Sequence, residues 1–200
     1  GTLPEFPAGK PLFIFASHFH ADHYAPVIFQ LGEKRENVFY ILSKEIGKKI
    51  PEEYRKRYKG RIRLVKAGER FCLNISEESL IVETFHSTDE GVAFWLSCEG
   101  KEIYHAGDLN NWWWEGEDMA WNRNMAASYK QEMKKLSGRT ADLAFIPVDP
   151  RQEQWFYLGA AGFMEQADAK WIFPMHFWED YTIIPKLIEH PSSEGWRDRI

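Results

Sequence analysis

The chain has 200 residues, 44% of them hydrophobic, and a formal net charge of −5. That length provides for one substantial core and predicts a single domain over residues 1–200 rather than two. The acidic balance leaves no footprint for nucleic acid, and no apolar run approaches a membrane span.

The first strand signal covers residues 11–17, and Ala25–Leu31 reads as a short helix ended by Gly32. Asn37–Leu42 is a strand, and Ser43 is placed to N-cap a helix over Lys44–Lys49. A second short helix is expected after Pro51, a residue suited to a first helical position. The basic run Arg55 to Lys59 has glutamates nearby and reads as a solvated helix face. Four strand-like runs follow: Arg61–Lys66, Arg70–Ile75, Leu80–Phe85 and Val92–Cys98, the last turning into a fifth that ends at Tyr104.

The clearest helix carries Trp121, Met125, Tyr129, Met133 and Leu136 at three- and four-residue steps, which predicts one core face. Glu117 and Asp118 sit at its positive end, and Gly138 stops it. Asp142–Ile146 is a strand, Gly159–Ala167 a helix, and Lys170–Phe173 a last strand stopped by Pro174. Pro185 leaves residues 180–190 open between a broken helix and one that starts there. Cys72 and Cys98 lack paired spacing and read as small core residues in a reducing cytoplasm, consistent with a start that has no signal-peptide layout.

The densest chemical signal is His18-Phe19-His20-Ala21-Asp22-His23. Residues i and i+2 of an extended segment point the same way, so His18 and His20 can grip one ion together. A turn then carries Asp22 and His23 towards a second position. The alternative is a polar surface turn that happens to be rich in histidine. Further candidates recur just after strands: His86, Asp108 and His176. Singly each has an ordinary reading, as a loop residue, a Gly-Asp turn and a core histidine respectively.

In that order, from about residue 11 to 178, these motifs resemble the metallo-β-lactamase superfamily of metal-dependent hydrolases. The segments Ser87-Thr88-Asp89-Glu90-Gly91 and His105-Ala106-Gly107-Asp108-Leu109-Asn110 are similar to the branch that includes the L-ascorbate-6-phosphate lactonases. The resemblance implies an α/β fold, an αββα sandwich with its site on loops at one edge of the sheets. It also implies an antiparallel hairpin ahead of the metal-motif strand. About ten residues precede Pro11, so the expectation is a version lacking those strands, or a chain whose natural start lies upstream.

By the same resemblance, His18, His20 and His86 hold one metal, Asp22, His23 and His176 a second, and Asp108 bridges them. Imidazole and carboxylate donors suit zinc, and also manganese or iron. Two such ions supply hydroxide at neutral pH, and Asp22 is the expected catalytic residue that orients it or takes its proton. His105 is read as a residue at a strand end behind the ligands.

Asn110 and the cluster Trp112, Trp113 and Trp114 directly follow a proposed ligand and are expected to line the substrate pocket, whereas Trp121 is expected in the core. Arg151 has two readings, a bidentate contact to a phosphate or carboxylate of the substrate, or a pair with Asp149 or Glu153.

The function expected is a cytoplasmic binuclear metal-dependent hydrolase acting on a small ester, lactone or phosphodiester, with an anionic substrate and a homo-oligomer as further expectations. A flavodiiron-like redox role would call for a carboxylate in place of His20 and a flavin-binding segment. A catalytically inactive metal-binding or scaffold protein of the same fold is the remaining alternative.

Overall fold

A computed structural model describes residues 9–33, 35–75 and 78–200. The expected absence of a leading hairpin bears on residues 1–8, which lie outside the described residues. The chain forms two compact units that divide between Lys66 and Ala67.

In the first unit, β1 (Leu12–Ala16), β2 (Val38–Ser43) and β3 (Ile62–Val65) make a parallel sheet in the order β1-β2-β3. The central strand β2 is apolar almost throughout and buried on both faces, as a middle parallel strand must be. Val38, Tyr40 and Leu42 alternate onto one face and pack with Phe29, Ile46 and Tyr58. The Tyr58 hydroxyl donates to the Phe29 carbonyl at 2.8 Å, so this buried phenol is satisfied. The two short helices expected before Pro51 are 3-10 segments, Pro26–Gly32 and Lys44–Lys48, and α1 spans Glu52–Arg57. Ser43 does not cap the second of them. Its hydroxyl donates to Glu45 Oε1 at 2.5 Å, a local partner that competes with the backbone N–H.

The second unit is a six-stranded sheet in sequence order. β4 (Arg70–Ile75), β5 (Glu78–His86), β6 (Val92–Cys98) and β7 (Lys101–His105) are antiparallel. β8 (Thr140–Pro147) and β9 (Asp168–Met175) then add in parallel. The switch in direction follows from the connections: a two-residue turn joins β6 to β7, while helices α2 (Met119–Lys134) and α3 (Leu158–Gln166) cross over between the later strands.

The cross-strand row Trp95–Tyr104–Ala144–Ile172 faces the core, where Tyr129, Met133 and Leu136 of the α2 segment meet Phe163 of α3. Glu83 takes both ends of the Arg139 fork, at 2.9 and 3.3 Å, over the Trp95 ring.

Three details depart from the sequence reading. Only the later half of the apolar stripe on α2 enters the core; Trp121 is 37% exposed. The helix begins late enough that Trp121 lies in its first turn, where Asp118 caps the Trp121 N–H at 2.7 Å. Cys72 is exposed rather than buried. The span around Pro185 resolves as a helix, α4 (Ile183–Glu189), with the proline in the first turn, where no backbone donor is missed. No helix among the described residues is long and apolar enough to cross a membrane.

Candidate metal centre

Each unit carries close pairs of possible donors. In the first, β1 ends at Ala16 and the backbone turns at once: the His20 carbonyl accepts from both His23 N (3.0 Å) and Tyr24 N (2.8 Å). That turn folds His23 back beside His18, with ring centroids 4.1 Å apart. His18 is wholly buried, and its Nε2 lies 3.0 Å from His20 Nδ1. The expected convergence of His18 and His20 is therefore present. Asp22 Oδ2 sits 3.3 Å from His23 Nε2. The buried Ser17 hydroxyl touches Nδ1 of His18 at 3.0 Å and of His23 at 3.4 Å, so both rings are held by Nδ1 with Nε2 presented.

In the second unit the loop after β7 carries Asp108, which is 3% exposed. Gly107 adopts φ 55°, a left-handed turn that glycine makes without a Cβ clash. The Thr88 hydroxyl pins the loop by donating to the Asn110 carbonyl at 2.6 Å and accepting from Asn110 N at 3.0 Å. His105 accepts from Gly107 N at 3.0 Å, which makes it a support of the loop, as its place at a strand end suggested.

His176 follows β9 with φ 66°, and Trp178 and Glu179 are also left-handed at 49° and 64°. Such backbone in L-residues costs about 1–3 kcal/mol at each position and clusters at functional sites. His176 Nε2 lies 3.6 Å from Asp108 Oδ1, and its Nδ1 lies 2.9 Å from Asp149 Oδ2.

The other sequence candidates divide. His86 closes β5 with an exposed ring whose Nδ1 meets the Ser87 carbonyl at 2.5 Å. Among the described residues of this unit it joins no cluster of metal donors. It instead borders a cavity of about 430 Å³ shared with Trp121, Ser128 and Glu132 of α2.

Asn110 was expected on a pocket wall and is fully buried instead, its amide donating to Gln152 Oε1 at 2.8 Å. Trp112 is also inside, 5% exposed, with its indole N–H on the Asp108 carbonyl at 3.0 Å. Both fix the ligand loop from behind. Trp113 packs on Trp155, and Trp114 stacks nearly parallel on Trp112.

Arg151 takes the second of its two readings: its guanidinium forks onto Asp149, with Nη2 at 2.5 Å. Gln152, buried, is the residue that sequence reasoning missed; Asp149, also buried, entered it only as a possible partner of Arg151. The signal for Asp149 was its place just after a strand at Pro147, the same position that marks the ligands.

The donor set suits a divalent ion. Two nitrogens each about 2.0–2.1 Å from a tetrahedral zinc lie about 3.3 Å apart. The pairs His18–His20, Asp22–His23 and Asp108–His176, at 3.0, 3.3 and 3.6 Å, bracket that spacing.

No family model matches the sequence, and no curated protein matches it. Among solved structures the chain is similar to CmlA, a diiron beta-hydroxylase from Streptomyces venezuelae, at 12% identity and a TM-score of 0.52, over 92% of this chain and 42% of that one. It is similar to Zn(2+)-bound PqqB from Methylobacterium extorquens at 10% identity and a TM-score of 0.47, over 83% of this chain and 59% of that one. The metallo-beta-lactamase fold protein YhfI from Bacillus subtilis matches at 13% identity and a TM-score of 0.45, over 86% of this chain and 66% of that one. The chain thus spans about two fifths to two thirds of the length of these proteins. At such identities the likeness concerns fold alone, and the α/β class expected from the sequence is the one found.

Proposed function

We propose that this chain is a binuclear metal-dependent hydrolase of the metallo-β-lactamase superfamily, in the L-ascorbate-6-phosphate lactonase-like branch. The observation that carries the reading is the spacing of three donor pairs at 3.0, 3.3 and 3.6 Å, each pair within one unit. The proposed ligands are His18, His20, Asp22, His23, Asp108 and His176, with zinc the preferred ion and manganese or iron also accommodated. His86 is left out of this set because its ring is exposed and apart from the other donors of its unit.

Two such ions, when bound, make a water acidic enough to react near neutral pH and stabilise developing oxyanion charge. The protein's own groups do the rest. Ser17 orients the His18 and His23 rings through Nδ1, and the buried Trp112 indole and Thr88 hydroxyl hold the Asp108 loop in place. Asp22 has a 36% exposed side chain, which places it to accept the proton of the attacking water at its carboxylate. Water would add at the carbonyl carbon or phosphorus, the C–O or P–O ester bond would break, and the freed alcohol oxygen, still tethered in a lactone, would take back the proton from Asp22. With the Arg151 fork held by Asp149, the substrate's charge is not part of the reading.

A diiron oxidative chemistry, as the name of CmlA describes for that protein, is less suited to a turn that offers three imidazoles and one carboxylate. The free cysteines Cys72 and Cys98 accord with a reducing cytoplasm.

The test is turnover of ester, lactone and phosphodiester panels by zinc- and manganese-loaded protein, with His20→Ala as control. Hydrolysis of one class that His20→Ala abolishes is the expected result. Metal-loaded protein that turns over none of them would leave a metal-binding or scaffold role.

A further inference from the structure

Asp149 is the most heavily bonded carboxylate near the proposed ligands, and the chain builds it deliberately. It follows β8 as the cap of a 3-10 segment, Pro150–Trp155, whose first residue is a proline with φ already set. That local geometry sends both the N–H and the side chain of Arg151 back onto Asp149. Oδ1 accepts from Arg151 N at 2.8 Å and from Nε at 3.0 Å. Oδ2 accepts from Nε at 3.0 Å, Nη2 at 2.5 Å and His176 Nδ1 at 2.9 Å. An ionised carboxylate has about four acceptor sites, so the group is saturated and has no capacity left for substrate or for a proton in transit. It is also wholly buried, while the Arg151 guanidinium lies 4.6 Å from the Trp178 ring and 5.8 Å from that of Trp114.

We infer that Asp149 is a positioning residue that holds His176 in the Nδ1–H tautomer, and that Arg151, lying against the Trp178 ring, holds Asp149 in place. An acceptor-only carboxylate on Nδ1 leaves Nε2, the nitrogen 3.6 Å from Asp108, as the lone-pair donor. His176 and Trp178 both have left-handed backbone, and their rings meet edge to face with centroids 5.4 Å apart. Arg151, which the sequence left open between a substrate contact and a pair with Asp149, acts here on a ligand's orientation. The consequence for metal affinity rests on the proposed function; the tautomer does not.

Two measurements test this. Long-range proton–nitrogen NMR on metal-free, histidine-labelled protein reads the tautomer directly. His176 is expected as Nδ1–H in the wild type and as a mixture in Asp149→Asn. Chelator competition with zinc is expected to show affinity 10–100-fold weaker in Asp149→Asn. A smaller loss is expected in Arg151→Ala and a smaller one again in Arg151→Lys. If Asp149→Asn does not fold, Arg151→Ala, altered at a half-exposed side chain, gives both readouts. An Nε2–H tautomer in the wild type, or a tautomer and affinity that neither substitution moves, would overturn the inference. Wild-type protein that takes up no zinc would instead overturn the metal reading, and the NMR result would still decide the role of Asp149.

Discussion

The side-chain amide of Asn110 lies directly over the backbone of Gly159, so close that a Cβ built on the glycine would fall 1.7 Å from Asn110 Oδ1. α3 thereby approaches the loop that carries Asp108, and Tyr129 reaches the same spot, its hydroxyl donating to the Gly159 carbonyl at 2.6 Å. A glycine in the first turn of a helix is otherwise unremarked in sequence; here it sets how tightly the ligand loop is backed.

Gly159→Ala is therefore expected to be far more costly than an alanine in a helix usually is. The Asn110 amide must move off Gln152, leaving buried polar groups without partners, at about 2–4 kcal/mol. Urea denaturation checks this, with Gly116→Ala, which has open space around it, as the control expected to change little. Equal midpoints for the two variants would mean that the loop yields freely.

Metal content separates ligands from their neighbours. Wild-type protein purified without chelator and incubated with zinc should approach about two equivalents per chain by elemental analysis. His20→Ala and Asp108→Ala should each lower this clearly, whereas His105→Ala, behind the loop, should do less. His86→Ala should leave it unchanged, because that residue is exposed and belongs to no group of possible metal donors among the described residues. Loss of an equivalent on His86→Ala would return His86 to the ligand set.

The alkaline limit of stability is expected to come from the core of the second unit. Burial raises the pKa of both Tyr104 and Tyr129 well above the ordinary phenol value, so the folded state keeps protons that the unfolded state releases near about pH 10. Their contribution is fully present below that pH and is lost as pH rises beyond it. Denaturation midpoints should fall between about pH 9.5 and 11.5, and less steeply in Tyr129→Phe. That variant should also lose about 0.5–1.5 kcal/mol at neutral pH with its bond to Gly159. A flat profile over that range would show that these phenols do not govern alkaline unfolding.

Much was legible in the residues themselves. The apolar runs predicted the nine strands found among the described residues, since alternation and length depend only on local chemistry, with bounds extended by a residue or two in β5, β8 and β9. His18 and His20 were paired by their i, i+2 spacing, while Asp108 and His176 were singled out by a family resemblance carried by their order after strands. What the sequence did not reveal depends on partners distant along the chain. Trp121 fits the apolar stripe of α2 as well as Met133 does, and only the reach of the sheet beneath decides that one is half exposed and the other buried. Asn110 and Arg151 are polar residues at a site edge, free on paper to meet a substrate. Gln152, 42 residues from Asn110, takes the first inward, and the buried Asp149 claims the fork of the second. A polar side chain taken out of water must find its hydrogen bonds within the fold, and which groups offer them is settled only when the strands and helices have met.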